Sequence, residues 1–335
     1  MSERKEYLSN RGLIVIGIVA LIILVVGIIL CYLGLNEEFY SESGQTVFKI
    51  ITYLGEPVVF IIIATIIYLA YSKSLAKNTV LCLLFSHYLN QIIKSTYQDP
   101  RPNTNVGDEY GFAEPSYGFP SGHTQNSLSF WGYISYDFKD RYKYKQVPIV
   151  PVFLSCVVFL VGISRMVIGV HDLQDVIGGL LIGIGVLLLF IYLEQIISPQ
   201  FNKLSFILKI IITLVLSILI FLIGTFLFPN AGLGLVSPPV NYADDGAFAQ
   251  VGGVLLGFGI GYLLEEEYIK YEPLQLKTTK RIINIAIGIF FLLLAFVPFE
   301  YLIKIDSVFF RFFRYALVAF ILAYVVPLIC AKINK

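Results

Sequence analysis

Apolar runs of about twenty residues follow one another along all 335 residues of the chain, and this repetition limits the fold more than any other feature. A helix needs about 20 apolar residues to cross a hydrocarbon core of roughly 30 Å. Ten candidate spans are read, near residues 12–34, 47–71, 79–94, 121–136, 148–169, 171–197, 205–228, 247–265, 281–299 and 307–331. The runs are continuously apolar, not alternating, so they predict helices rather than the strands of a barrel. The expected fold is an all-α, polytopic transmembrane helix bundle. The first run is too long for the core of a cleaved leader and no small-residue cleavage site follows it, so it is expected to stay as a helix.

Charge agrees with this reading. Only 14% of residues are charged, against about a quarter in soluble domains. The net charge of +1 suggests no nucleic-acid partner. Cys31, Cys82, Cys156 and Cys330 lie singly inside apolar runs, with neither metal-ligand nor disulfide spacing, and are read as buried small apolar residues. Lys and Arg set the orientation. With the N-terminus in the cytoplasm, the stretches 1–11, 72–78, 137–147, 198–204, 266–281 and 332–335 carry 16 of the 24 basic residues. The opposite loops, 35–46, 95–120, 229–246 and 300–306, carry two, Arg101 and Lys304. Both termini are therefore expected in the cytoplasm. The abundance of Ile, Lys and Tyr points to an AT-rich microbial genome, and so to a prokaryotic cell membrane. Glycines at 179 and 183, and at 253, 257 and 261, have the small-residue spacing that lets helices approach closely, here read as packing within the chain.

Polar residues gather in three stretches, all on the expected outer side. In "KSTYQDPRP", Lys94 closes the third span and Arg101 follows it; an arginine fork and a lysine point charge suit phosphate oxygens. In "PSGH", Pro120 fixes a helix entry with Ser121 and Gly122 in its first turn, where free N–H groups make an anion site. His123, next in line, can carry a proton near neutral pH. In "SRMVIGVHDLQD", Arg165 lies near the end of the fifth span, Gly169 can break the helix, and His171 and Asp175 are four apart on one face of the next helix. A carboxylate at that spacing can fix the histidine tautomer and leave the other nitrogen as a nucleophile. Asp172 is given no catalytic role. The topology brings all three stretches to one depth on one face.

Lys94-x6-Arg101-Pro102, Pro120-Ser121-Gly122-His123 and Ser164-Arg165-x5-His171-x3-Asp175 together resemble the three-part signature of the type 2 phosphatidic acid phosphatase superfamily. No signature position is missing. That superfamily includes membrane lipid phosphatases, isoprenyl-diphosphate phosphatases, the glucose-6-phosphatase catalytic subunit and vanadium haloperoxidases. The resemblance implies a catalytic membrane core over 1–204, built like the six-helix members. Residues 205–335 would add four transmembrane helices of unassigned role. It further implies that His171 attacks phosphorus to give a phosphohistidine and that Asp175 orients it. His123 would protonate the leaving group and then activate water. Lys94, Arg101, Ser121, Gly122 and Arg165 would bind the phosphoryl oxygens. Asp99, Asp108, Glu109 and Glu114 are scattered rather than clustered, so no metal and no cofactor are expected.

Catalytic residues at helix mouths meet headgroups at interface depth, so the expected substrate is a lipid phosphate or diphosphate, hydrolysed at the extracytoplasmic face. A polyprenyl diphosphate, phosphatidate, phosphatidylglycerol phosphate or sphingoid phosphate all fit. Alternatives are a phosphotransferase using the same intermediate, with an acceptor pocket in the extra helices, and a phosphatase of soluble sugar phosphates. A transporter or lipid-binding protein is disfavoured by the intact His123, His171 and Asp175, and haloperoxidase chemistry by the membrane character. Among the remaining polar residues, His87 is read as a structural contact, and Arg311 and Arg314 as headgroup anchors. Glu56, an acid inside the second span, either lines the pocket or pairs with a cation. The loop holding Asp244-Asp245 is read as a packed connector. The oligomeric state is left open.

Overall fold

The computed structural model describes residues 9–102, 116–227, 246–298, 305 and 307–334. The loop acids Asp108, Glu109, Glu114, Asp244 and Asp245, and Lys304, lie outside the described residues. The helices are α1 (Asn10–Ile29), α2 (Gln45–Thr52), α3 (Pro57–Ala70), α4 (Lys73–Tyr97), α5 (Gly122–Asp137), α6 (Ile149–Val167) and α7 (Leu173–Asn202). They continue with α8 (Phe206–Leu227), α9 (Ala247–Leu264), α10 (Thr278–Val297), α11 (Val308–Phe320) and α12 (Val326–Ile333). A two-stranded ribbon, β1 (Lys143–Tyr144) and β2 (Val147–Pro148), joins α5 to α6.

Local chemistry sets the boundaries. Pro57 opens α3 and disfavours helical backbone at Glu56 before it, so the run expected as one span bends by 48° between Gly55 and Pro57. The Ser72 hydroxyl caps α4 by accepting from the Leu75 N–H, and Gln98, left-handed at φ 51°, closes it. Gly169 adopts φ 79° after α6, a conformation that costs glycine little. The Asp172 carboxylate then accepts from the Asp175 N–H at 2.9 Å and caps α7. This moves one expectation: His171 does not ride on the α7 face but sits just ahead of its cap.

All ten expected spans are helical, and the protein is an integral, multi-pass membrane protein. Among the described residues, seven helices are long and apolar enough to cross a bilayer, and the bent α2–α3 pair makes an eighth. The two that fall short are α4 and α5. They carry buried polar residues, Asn78, Ser86, Asn90 and Lys94 on α4, and Thr124, Gln125, Ser127 and Ser129 on α5. Those residues face protein, because α4 lies between α3, α5 and α9, while α5 packs on α6 and α7.

The C-terminal helices clasp this core. α9 packs on α8, α11 and α4, and α10 packs on α3. The α9–α11 contact is backbone to backbone: a side chain at Gly253 or Gly257 would collide with the Phe312 or Ala316 carbonyl. Gly179 and Gly183 likewise seat the Ser121 and Gln125 carbonyls of the α5 entry against α7. At the opposite end from the polar cluster, Lys73 pairs with buried Glu265 at 2.8 Å, and the Tyr271 hydroxyl donates to the Leu69 carbonyl at 2.6 Å. Cys82 and Cys330 are buried and Cys31 is half-buried. Cys156 is exposed on the outer face of α6, against the expectation that all four are buried.

Candidate active site

Three helix ends converge at one end of the bundle. The last turn of α4 supplies Lys94, the turn after α6 supplies His171, and the first turn of α7 supplies Asp175. The α5 entry is tied to α7 by a bond from the Ser121 N–H to the Asp175 carbonyl, 2.9 Å long. The α1–α2 connection braces α7 from the other side, with the Leu173 and Gln174 N–H groups donating to the carbonyls of Glu37 and Leu35.

His171 is the centre. Its Nδ1 lies 2.7 Å from Asp175 Oδ2, and both side chains are fully buried. Its Nε2 lies 2.9 Å from Arg101 Nη1. A guanidinium can only donate, so Nε2 must be the unprotonated nitrogen and Nδ1 carries the proton to Asp175. Burial, with Arg101, Lys94 and Arg165 close by, holds the His171 pKa well below the ordinary imidazole value. A neutral ring with its lone pair on Nε2 is the form a nucleophile needs. Burial also pushes the Asp172 carboxyl up to about 6, against the N–H groups of Asp175 and Gln174 that favour its ionised form.

Three cations surround the ring. Arg101 donates to the Val170 carbonyl at 2.7 Å, and to the Ser116 carbonyl and hydroxyl at 2.7 and 2.6 Å. Lys94, almost wholly buried, donates to the carbonyls of Tyr117 and Gly118. Arg165, equally buried, donates to Thr52 Oγ1 at 2.8 Å. Carboxylates also act on these buried cations, Asp175 and Asp99 on Lys94 and Glu56 on Arg165. The loop 116–120 lies directly over this cluster. Only glycine fits at 118, since a Cβ there would come 3.0 Å from Asp175 Oδ2 and 2.9 Å from the Pro100 carbonyl.

Ser121 is buried at the N-cap of α5, its Oγ accepting from Thr124 Oγ1 at 3.0 Å. Gly122 lies against Asn90, which bonds Gln125 and the Pro120 carbonyl. The first N–H groups of α5 have no carbonyl of their own helix to bond. His123 Nε2 meets Glu56 Oε1 at 3.0 Å, so Glu56 pairs with a histidine rather than with a lysine or arginine. His87 Nδ1 meets Asn126 Nδ2 at 3.2 Å. Arg311 packs beside Gly246 at the start of α9, and Arg314 donates to the Tyr315 hydroxyl at 3.4 Å. The structure thus gathers every expected site residue. It adds partners that the sequence did not name: Thr52 for Arg165, Ser116 for Arg101, and the 117 and 118 carbonyls for Lys94. Backbone carbonyls leave no trace in a residue pattern. Asp172 could have been found, as an aspartate opening an apolar helix is an N-cap signal.

Among the described residues, no three His, Cys, Asp or Glu side chains are grouped to hold a metal ion. The charged groups closest to His171 besides Asp175 include Arg101, Lys94 and Arg165.

The sequence is similar to known proteins. Residues 75–199 match the PAP2 superfamily, and residues 249–335 match the transmembrane extension of PAP2 superfamily phosphatases. The chain belongs to this superfamily. Lipid phosphate phosphatase delta of Arabidopsis thaliana is 32% identical over 154 residues, covering 40% of this chain and 37% of that protein. Phosphatidylglycerophosphatase B of Bacillus subtilis is 33% identical over 109 residues, covering 31% of this chain and 49% of that protein. Dolichyldiphosphatase 1 of Homo sapiens is 25% identical over 177 residues, covering 49% of this chain and 72% of that protein. The matched stretches thus span half or less of the first two relatives' own lengths.

Proposed function

We propose that this protein is a metal-independent phosphatase of lipid phosphates or diphosphates, working at the extracytoplasmic face through a phosphohistidine. The observation that carries the reading is the setting of His171, with Nδ1 on Asp175 at 2.7 Å and Nε2 facing Arg101 at 2.9 Å. In the first step the phosphoryl group takes the Arg101 hydrogen bonds, and Nε2 attacks phosphorus. The N–P bond forms as the bond from phosphorus to the leaving oxygen breaks, and His123 gives that oxygen a proton. Asp175 balances the charge that grows on the His171 ring. Lys94, Arg165 and the N–H groups at Ser121–Gly122 hold the phosphoryl oxygens, because charge neutralisation and positioning carry most of the catalysis in such transfers. In the second step His123 takes a proton from water, which attacks phosphorus and frees His171 and inorganic phosphate. The three curated relatives bear the names of lipid phosphate, phosphatidylglycerophosphate and dolichyl diphosphate phosphatases, which supports a lipid substrate. On this reading residues 1–204 are the catalytic core and 205–335 an accessory part.

The test is phosphate release by purified protein in detergent with EDTA, across a panel of lipid and water-soluble phosphates. Release from lipid phosphates that disappears in His171→Ala is the expected result. No release from any of them by folded protein would overturn the hydrolase reading, and product formation only when an acceptor alcohol is added would make it a transferase.

A further inference from the structure

A cavity of about 280 Å³ begins at the site and runs down between the catalytic core and the C-terminal helices. Its upper end is polar, formed by Lys94, Gly122, His123 and Ser116, the residue that holds Arg101. Below that it is mainly apolar, with Phe130 of α5 and Phe296 of α10 in its lining and four further helices forming most of the wall. From the core, α3 offers Phe60 and Ala64, and α4 offers Leu83 and Leu84. From the C-terminal part, α9 offers Val254 and Phe258, and α11 offers Val318 and Ala319.

The pattern on each helix is a stripe. On α4 the lining residues run Val80, Leu83, Leu84, His87, Asn90, Gln91 and Lys94, the three- and four-residue steps of one helical face. Those fourteen steps amount to about 21 Å along the helix, deeper than the roughly 15 Å of one bilayer leaflet. The polar members lie at the phosphate end, and the apolar members point away from it. Charge at one end and hydrocarbon along the rest match one kind of ligand, an amphiphile with a phosphate head and a hydrocarbon tail. The volume lies at the lower edge of small-molecule sites, which suits one chain rather than two.

The C-terminal wall is rigid and fixed to the core. α9 and α11 meet through Gly253 and Gly257 with backbones in contact. The Tyr68 hydroxyl donates to the Ala323 carbonyl at 3.0 Å, just below the slot, and Glu265 at the end of α9 holds Lys73 of α4. A wall held in this way acts as a ruler.

We propose that α9 and α11 complete a slot for the single hydrocarbon chain lying nearest the phosphate, and that they set the length of chain the enzyme accepts. This rests on the lipid-phosphatase reading and assigns the C-terminal helices the substrate's tail.

The experiment uses the full-length protein with Val254→Trp and Ala319→Trp, both in the wall and away from the phosphate site. kcat/KM is measured on linear alkyl phosphates from butyl to hexadecyl, and on 4-nitrophenyl phosphate. The plugged variants should lose about tenfold or more on the long chains, the scale on which apolar pockets discriminate, and shift the optimum to shorter chains. Activity on butyl and 4-nitrophenyl phosphate should stay within about twofold, since no contact to the phosphoryl group changes. An unchanged chain-length profile in both variants overturns the proposal. If both lose activity on every substrate, labelling decides. A hexadecyl phosphate carrying a diazirine at its terminal carbon is irradiated with His171→Ala protein, and the labelled peptides are mapped. Label on α9 or α11 upholds the slot, and label confined to other helices overturns it. Labelling needs no turnover. Label in α9 or α11 from a wild-type protein that hydrolyses no phosphate would sink the phosphatase reading and leave the slot standing. Hydrolysis with label elsewhere would do the reverse.

Discussion

Two histidine–carboxylate pairs sit at the same end of the bundle and differ in almost everything but chemistry. His171–Asp175, at 2.7 Å, is sealed from solvent on both sides. His123–Glu56, at 3.0 Å, is 15% and 35% exposed at the cavity mouth. The first pair lies among Arg101, Lys94 and Arg165, so a proton on its ring is opposed from three directions. The second borders the cavity through His123, where a leaving group or water can exchange a proton with it. In the proposed mechanism, burial among cations suits one imidazole to act as nucleophile, and access suits the other to act as acid and base. The same mechanism gives the two carboxylates different work, charge balance in the first pair and aim in the second.

That contrast can be broken in order of effect. Asp175→Asn should cost roughly 10²–10⁴-fold in kcat, because the amide no longer selects the Nδ1–H tautomer or offsets charge on the phosphohistidine. A loss of less than tenfold on an alkyl phosphate would place the nucleophile elsewhere. Glu56→Gln should cost only about tenfold, as His123 keeps its place in α5 and the amide oxygen can still accept from its ring. Its KM should hold while its kcat and pH profile move, whereas a merely structural role would leave the profile where it was. Arg101→Gln tests electrostatics separately. The His171 pKa is lowered, so the ring stays neutral as pH falls through the ordinary 6.5, and the acid limb of kcat/KM lies below that value. Removing the Arg101 charge favours the imidazolium, raises the His171 pKa and moves that limb to higher pH. Beyond its lower rate, a variant whose acid limb has not moved would contradict this electrostatic picture.

The same two pairs show what a sequence displays. His171 and Asp175 are four residues apart and join the other polar clusters in one ordered pattern, so the pair was legible. The structure moved only its frame: His171 precedes the Asp172 cap instead of riding on the helix. Glu56 and His123 are 67 residues apart. Glu56 was conspicuous as an acid in an apolar run, but its partner depended on the bend before Pro57, which no periodicity reveals. The membrane bundle was legible for a plain reason, because lipid leaves helices as the only way to satisfy the backbone along continuously apolar runs. Two helices at the site fall short as spans, α4 with its buried polar residues and α5 with only 16 residues. The C-terminal helices carry no signature residue, and the role proposed for them rests on Val254 and Val318 lining the same cavity as His123.

The division of labour between the two histidines is tested most directly by trapping the phosphoenzyme. Radiolabelled 4-nitrophenyl phosphate, whose leaving group needs no proton, is mixed with wild-type, His171→Ala and His123→Ala protein and quenched in alkali, and the labelled peptide is sequenced. The account predicts label on His171 that accumulates in His123→Ala, which can form the phosphohistidine but cannot activate water, and no label in His171→Ala. Label on another residue, or a His123→Ala protein that turns over the substrate at the wild-type rate without accumulating label, would contradict it.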